Sequence, residues 1–397
     1  MYAQSLNDWS GMELSKRLDL FGAEVFAALN EKRRALEAAG RTVYDLSVGT
    51  PDFKPMPHLM EALATSSADT DNWKYSLHDK DELLDAVGAY YEDRYGVAGI
   101  GRDQIMSCRG TQEGMLWALE ALVDPGDTVL VPDPCYPVFQ NATLLAGATC
   151  AYYPLTADHD FLPYVDGIDP EVADAAKAMI VSLPANPVGS VGTPEVYARI
   201  IEFAQAHDLV IIHDNAYSDI VFDGPAGGSF LSYPGAAEVG VEFLSLSKSF
   251  NVTGMRLSFL VGRADIVAAA KKLRGQVDFG MFYPEQDVAI AALTGPREQV
   301  EKQRMQYQER RDALCDGLEG LGWERPNAHG SMFVWARLPH GRMDSMDFAL
   351  ELMEKAGVIV TPGASFGPSG EGFCRMALVM PPEKIREAVA AIGAAGM

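Results

Sequence analysis

The chain has 397 residues, enough for two or three domains of about 150 residues each, and its 48% hydrophobic and 22% charged residues are ordinary for a globular protein. Its formal net charge of −23 argues against nucleic acid and anionic membrane surfaces as partners, because both require basic patches.

The cysteines and the N-terminal residues indicate a cytoplasmic location. The five cysteines are odd in number and never stand in C-x-x-C spacing, which predicts reduced thiols and neither a disulfide frame nor a zinc site. The first residues include early acidic side chains and no apolar signal-peptide core. No stretch approaches the roughly 20 apolar residues of a membrane span, and the histidines show no metal-ligand spacing.

Helical and extended patterns follow one another along the first hundred residues. Apolar residues at helical spacing predict a helix over 13–39, and residues 43–48 are predicted as a strand. That strand ends in the turn sequence Gly49-Thr50-Pro51-Asp52. Two further helices are predicted over 56–66 and 81–95, with Tyr75 on the loop between them.

From about residue 100, short apolar runs alternate with helical segments, which predicts a mainly parallel sheet covered by helices on both faces. The strands are predicted at 128–131, 149–153, 178–182, 209–213, 241–246 and 257–261. The helices are predicted at 111–123, 136–146, 194–207 and 264–275. Sheets of this kind bind their ligands beyond the carboxyl ends of the strands.

The pattern changes to α+β after residue 284. A long charged helix is predicted over about 296–321. It is followed by strands at 332–336, 358–361 and 373–379 and helices at 345–356 and 382–392. We therefore predict an N-terminal segment (1–48) that packs on the small domain, a large ligand-binding domain (49–284) and a small C-terminal domain (285–397).

One lysine stands in an unusual setting, in the sequence Ser245-Leu246-Ser247-Lys248-Ser249-Phe250-Asn251-Val252-Thr253-Gly254-Met255-Arg256 after an apolar run. An unpaired ammonium is expensive to bury, so Lys248 must pair or lose its charge. A neutral lysine amine attacks aldehydes, and the nearby hydroxyls and arginine suit a phosphate. Aldehyde and phosphate together describe pyridoxal 5′-phosphate (PLP). The alternative is a solvated lysine after an edge strand.

Other predicted strand ends carry groups that a pyridoxal ring needs. Gly110, Thr111 and Gln112 open a helix whose free N–H groups can bind phosphate, unless Thr111 is a simple cap. Tyr136 can stack on a ring or be an ordinary half-buried loop residue. Asn186 can donate to the ring's phenolic oxygen or merely form a turn with the following proline.

Asp214 ends a strongly apolar strand, where a carboxylate is costly without a partner. A pyridinium N–H would be such a partner, and a ring nitrogen that keeps its proton makes the ring an electron sink. Tyr217, three residues on, can donate to the phenolic oxygen. Each of these features is weak alone, but together they predict one PLP site.

With these residues in place, the chain resembles the class I/II aminotransferases, PLP enzymes of fold type I. The resemblance covers nearly the whole chain through S-x-S-K-x-x-N-x-x-G-x-R, N-P-x-G, D-x-x-Y, the Gly49 turn and the segment around Arg375. It implies an α/β fold, with a mainly parallel (mixed) sheet sandwiched by helices and a smaller α+β domain. It also implies ping-pong transfer of an amino group between an L-amino acid and a 2-oxo acid.

The resemblance also implies a role for each matching residue. Lys248 would hold the cofactor's aldehyde and act as general base, while Asp214 would pair with the ring nitrogen. Arg375 would grip the substrate α-carboxylate by a planar fork, with Gly49 and Asn186 beside it. The implied ring and phosphate contacts are Tyr136, Asn186, Tyr217, Gly110, Thr111, Gln112, Ser245, Ser247 and Arg256. Tyr75 would reach the phosphate of a neighbouring subunit, which implies a homodimer with shared sites.

Some positions depart from the family pattern. Lys80 stands where relatives often have glycine, Leu84-Asp85 replaces a common Leu-Arg pair, and Tyr283 replaces a smaller hydroxyl residue. These departures affect the expected subunit contact and substrate pocket, whereas the cofactor residues match.

The substrate and the reaction branch are open at this point. Several segments look most like a branch that holds bacterial alanine (glutamate–pyruvate) and LL-diaminopimelate aminotransferases. An aspartate-specific enzyme is less favoured, because residues 278–286 contain no arginine and Thr111 replaces a common lysine. A PLP-dependent C–S β-lyase would use the same residues. A PLP-sensing transcription regulator would need an additional DNA-binding module.

Overall fold

The computed structural model describes residues 14–21, 32–34, 36–224 and 227–397. Its strands are β1 (Tyr44–Asp45), β2 (Ile105–Arg109), β3 (Thr128–Asp133), β4 (Thr149–Pro154), β5 (Ala176–Ser182), β6 (Val210–Asn215), β7 (Gly240–Ser245), β8 (Leu257–Gly262), β9 (Phe333–Arg337), β10 (Val358–Ile359), β11 (Thr361–Pro362) and β12 (Phe373–Ala377). Residues 32–34 and 36–38 are helical. The α-helices that follow are Pro57–Ala68, Asp81–Tyr95, Thr111–Leu122, Pro137–Leu145, Pro170–Ala175, Pro194–Ala206, Ala236–Val239, Leu246–Ser249, Ala264–Arg274, Tyr283–Thr294, Glu298–Gly320, Ser345–Ala356 and Pro382–Ala394.

Seven strands form one sheet in the order β2-β8-β7-β6-β5-β3-β4. Strand β8 runs antiparallel to both neighbours, and the other adjacent strands are parallel. The predicted α/β architecture with a mainly parallel sheet is confirmed. Strand β2 is not among the strands predicted from the sequence, because none of its residues after Ile105 is β-branched.

The large sheet is buried on both faces, because successive residues of a strand point to opposite sides. On β6, Ile211 belongs to the apolar core on one side and Ile212 to the core on the other. This arrangement explains the nearly continuous apolar strands and leaves their carboxyl ends as the place for polar groups. No helix in the described parts of the chain is long and apolar enough to cross a membrane.

A second unit is built from the C-terminal part of the chain. Its antiparallel sheet has the order β11-β12-β9. The helices Glu298–Gly320, Ser345–Ala356 and Pro382–Ala394 contribute Leu314, Phe348 and Ile385 to its core. Strand β1 pairs in parallel with β10, so the segment before Gly49 is attached to this unit.

Two predicted N-terminal elements are wrong as drawn. The 3₁₀ helix Lys16–Leu20 buries none of its residues and ends at an extended Phe21, so a continuous helix over 13–39 does not form. Residues 32–34 and 36–38 are helical, as predicted. Residues 1–13, 22–31 and 35 of the predicted N-terminal segment lie outside the described residues. The strand predicted at 43–48 shortens to β1, because the Asp45 carboxylate accepts from the Ser47 N–H at 3.0 Å and turns the chain.

The helix Tyr283–Thr294 is absent from the sequence predictions, although a proline in its first turn is a helix-start signal. Its Val288 and Ala289 join the same core as Leu59 and Leu83 of the large unit. We therefore propose that the division between the two units lies after this helix and not at residue 284.

Two of the departures from the family pattern contact one another. The Lys80 ammonium lies 5.2 Å from the centre of the Tyr283 ring and 2.5 Å from the Asp287 carboxylate. The Lys80 N–H also donates to Gln286 at 2.8 Å. The Lys80 side chain therefore links the start of helix Asp81–Tyr95 to helix Tyr283–Thr294, and a glycine at this position could not form the ion pair.

Candidate active site

A single cavity of about 410 Å³ lies at the carboxyl ends of the parallel strands. Its lining includes every site residue predicted from the sequence except Gly110 and Tyr75. Strand β6 places Asp214, the loop after β5 places Asn186, and the short helix after β7 places Lys248. Groups far apart in the sequence meet here because parallel strands end at one edge of the sheet.

The Lys248 side chain is held by a backbone oxygen from another part of the chain. Its Nζ donates to the Gly49 carbonyl at 2.6 Å. Burial, together with the positive charges of Arg375 and Arg256, lowers the pKa of the Lys248 ammonium to about 8. A large fraction of Lys248 is therefore a neutral amine in mildly alkaline solution, the form that attacks an aldehyde or takes a proton.

The Asp214 carboxylate is buried and only partly compensated. Burial raises its pKa to about 6, against the opposing effects of His213 and the Ala216 N–H. Its Oδ1 atom has no hydrogen-bond partner among the described residues. A buried carboxylate oxygen without a donor has a strong preference for a cationic N–H partner.

One end of the cavity has the chemistry of an anion site. The helix Thr111–Leu122 has Gly110 as its N-cap, with a φ of 83°. Because glycine has no side chain, the first-turn N–H groups have no side-chain cap and can bind an anion. The buried Thr111 Oγ1 has no hydrogen-bond partner in the part of the chain that the structure describes. The Arg256 guanidinium lies against Gly110, within 3.0 Å of where a Cβ would stand. Gly110 therefore serves the site by leaving room for this guanidinium.

Arg375 is buried in the cavity and held by hydrogen bonds from two of its nitrogens. Its Nη1 donates to Asn186 Oδ1 at 2.9 Å and its Nη2 donates to the Ser47 carbonyl at 2.8 Å. No described residue accepts a hydrogen bond from its Nε atom. Burial lowers the pKa of Arg375 to about 10, so the side chain still carries its charge at neutral pH. Buried guanidinium N–H groups of this kind bind a carboxylate.

PLP fits this arrangement of residues. The unpartnered Asp214 Oδ1 suits a protonated ring nitrogen, and the Gly110–Arg256 end suits a phosphate. Burial keeps the pKa of the Tyr217 hydroxyl far above its ordinary value, so Tyr217 remains a donor for a phenolic oxygen. No cluster of three or more metal-binding side chains occurs among the described residues.

Tyr75 lies outside its own cavity. Its side chain is 77% exposed, and its ring packs edge-on against Phe279 at 5.6 Å between centres. Within one protomer it therefore contacts none of the site described above.

Other residues of the site are not singled out by the sequence analysis. Ser47 offers only a backbone oxygen, which no sequence pattern marks. Gln303, buried in the charged helix Glu298–Gly320, donates to the Lys248 carbonyl at 2.8 Å and accepts from Asn251 at 2.7 Å. Phe333 lines the cavity from β9, although its sequence reads as an ordinary core strand. Of these residues, Gln303 is the one that a signal could have identified, because a buried side-chain amide requires hydrogen-bond partners.

Comparisons with known proteins agree with this geometry. A family model described as "Aminotransferase class I and II" matches residues 41–392. The chain is 39% identical to an LL-diaminopimelate aminotransferase of Moorella thermoacetica, covering 95% of this chain and 97% of the relative. It is also 39% identical to one of Desulforudis audaxviator, covering 94% and 96%. The substrate-bound BacF structure from Bacillus subtilis superposes with a TM-score of 0.91 at 33% identity, covering 96% and 98%.

The reactivity of Lys248 in the cofactor-free protein should increase as the pH rises through about 8, because that is where burial places its pKa, below the ordinary 10.5. Acetic anhydride labelling of the full-length apoprotein, followed by peptide mass spectrometry, measures the midpoint. Exposed lysines of the same sample serve as controls and should label with a midpoint near 10.4. A Lys248 midpoint equal to theirs would contradict the assigned environment.

Asp214→Asn should stabilise the apoprotein at pH 8 and weaken its binding of PLP. The folded-state pKa of about 6 lies above the ordinary 3.8, so wild type loses stability as pH rises between these values. The substitution removes this cost, which is at most about 3 kcal/mol. Thermal unfolding should show a higher Tm for the variant at pH 8 and a shrinking difference towards pH 5. A lower Tm at pH 8 would overturn this account of Asp214.

Proposed function

The chain belongs to the class I and II aminotransferases and is a PLP-dependent aminotransferase, as predicted, and we propose that its amino donor is LL-diaminopimelate or alanine. The acceptor in this proposal is 2-oxoglutarate or pyruvate. The observation that carries the aminotransferase function is the cavity that holds Lys248, Asp214 and Arg375 together.

We propose that each of these side chains has one task. When bound, PLP supplies an aldehyde that holds the amino group and a ring that accepts electrons from the α-carbon. The neutral Lys248 amine takes the proton from the α-carbon of the donor. In the second half-reaction it delivers a proton to the α-carbon of the acceptor. Asp214 holds the proton of the ring nitrogen, while Asn186 and Tyr217 donate to the phenolic oxygen. Arg375 binds the substrate α-carboxylate and fixes the α-carbon beside Lys248.

The charges of the cavity support the substrate proposal. Among the described residues of the lining, the cationic side chains are Lys248, Arg256 and Arg375. Each has a use with the cofactor or the α-carboxylate, so none is left within the protomer for a second, uncompensated carboxylate such as that of aspartate. Alanine has no distal charge, and the distal end of LL-diaminopimelate carries both signs. The relatives named above are LL-diaminopimelate aminotransferases.

We propose that the enzyme is a cytoplasmic homodimer with shared sites. The side chains of Trp73, Tyr75, Leu77, Val277 and Phe279 are each more than half exposed. Exposed apolar groups gathered in this way are typical of a subunit interface. Tyr75 belongs to this group and contacts none of its own cavity, which supports its use in a partner's site. The free cysteines suit a reducing compartment.

A donor panel tests the substrate proposal. With 2-oxoglutarate or pyruvate as acceptor, kcat/KM should be at least about tenfold higher for LL-diaminopimelate or alanine than for aspartate, because no free cation faces the side-chain carboxylate. Lys248→Ala should abolish transfer, whereas Lys272→Ala, at an exposed lysine, should not. Pyruvate and ammonia from cystathionine without amino transfer would instead identify a β-lyase.

Mixing two defective variants tests the shared site. Lys248→Ala and Tyr75→Ala homodimers should both be impaired, the first by loss of the base and the second by loss of a phosphate contact. Unfolding and refolding them together should restore activity, because a hybrid dimer contains one site with both native residues. Activity that never exceeds the sum of the separate variants would exclude Tyr75 from a partner's site. Size-exclusion chromatography with light scattering reports the dimer independently.

A further inference from the structure

One aromatic ring touches three separate groups of the site. Phe333, the first residue of β9, is buried and lines the cavity. The carbon at the centre of the Arg375 guanidinium lies 4.0 Å from the centre of the Phe333 ring. The Tyr217 ring packs edge-on against Phe333 at 5.8 Å between centres. A guanidinium at this distance over a desolvated aromatic face is attracted by the electron-rich face of the ring.

The tip of the same ring fixes Gly49. A Cβ added at Gly49 would lie within 3.0 Å of Phe333 Cζ and Cε1, so the ring occupies the space that any other residue would need. Gly49 supplies the carbonyl oxygen that accepts from Lys248 Nζ at 2.6 Å. Phe333 therefore lies between the arginine proposed to bind the substrate carboxylate and the backbone oxygen that holds the lysine.

We propose that Phe333 is a positioning residue that couples Arg375 to Lys248, so that the carboxylate site and the reactive amine keep a fixed relation. In-plane acceptors from Asn186 and Ser47 hold the edges of Arg375, and the Phe333 ring holds one of its faces. The Cζ end of that ring packs against Gly49, so a shift of the ring moves the Gly49 carbonyl that accepts from Lys248. This proposal rests on the roles given to Arg375 and Lys248 above.

The chain provides a matched control in Phe366. Its ring also lies over Arg375, 4.6 Å from the guanidinium carbon. The close neighbours of Gly49 come from Phe333 and not from Phe366, and Phe366 does not line the cavity. Replacing either ring by leucine removes an aromatic face from Arg375. Only the replacement of Phe333 also removes the ring that packs against Gly49.

Phe333→Leu and Phe366→Leu should each raise KM for the amino donor by about three- to thirty-fold through the weaker hold on Arg375. Only Phe333→Leu should also lower the pH midpoint of Lys248 labelling in the full-length apoprotein, because the Gly49 carbonyl that accepts from the Lys248 ammonium loses its support and a weaker acceptor disfavours the charged form. If the midpoint is the same in both variants and wild type, the coupling is wrong. Transamination by Lys248→Ala would instead refute the proposed function.

A pair of substitutions tests the contact without any turnover measurement. Gly49→Ala should lower the Tm of wild type, because the new Cβ meets the Phe333 ring. In the Phe333→Leu background the same change should cost markedly less, because a flexible side chain replaces the rigid ring. Additive effects of the two changes would show that the ring does not fix Gly49 and would overturn the proposal.

Discussion

The site depends on charges that are buried without full compensation. Lys248, Arg256 and Arg375 bring three cationic groups to one cavity, and Asp214 has a carboxylate oxygen to which no group of the described residues donates. Burying such groups costs stability in the absence of a ligand. The benefit is chemical: burial and repulsion lower the pKa of the lysine ammonium to about 8, and the buried carboxylate is suited to the cationic ring nitrogen proposed as its partner.

The rest of the fold keeps these groups in place. The helix Glu298–Gly320 reaches the site through residues seven positions apart, which lie on one face of the helix. Gln303 donates to the backbone of Lys248, and Arg310 binds both oxygens of Asp52 at 2.6 and 3.0 Å. Asp52 belongs to the turn that carries Gly49. The second unit thus holds both Lys248 and the turn that carries its acceptor, so the C-terminal part of the chain supports the lysine proposed as the base.

Much of the site was predictable because its residues are encoded in short local patterns. The sequence alone shows an apolar strand that precedes Lys248 between two serines. It also shows a second apolar strand that ends near Asp214 and Tyr217. Elements that depend on partners were less predictable. Strand β2 has no β-branched residue after Ile105 and is extended through its pairing with β8. The apolar residues near the N-terminus are not buried in the 3₁₀ helix Lys16–Leu20. The contact between Lys80 and Tyr283 likewise joins positions that look unrelated in the sequence.

The sequence by itself determined the chemical groups, the alternation that makes a parallel sheet and therefore the edge at which those groups collect. The tertiary structure decided which of them remain unpaired and how they are held. Arg375 and Asn186 are 189 residues apart, and Phe333 touches Gly49 across a still longer span of chain. Hydrogen bonding, desolvation and the resulting pKa values depend on distances between such residues. Packing sets those distances, and no local pattern records them.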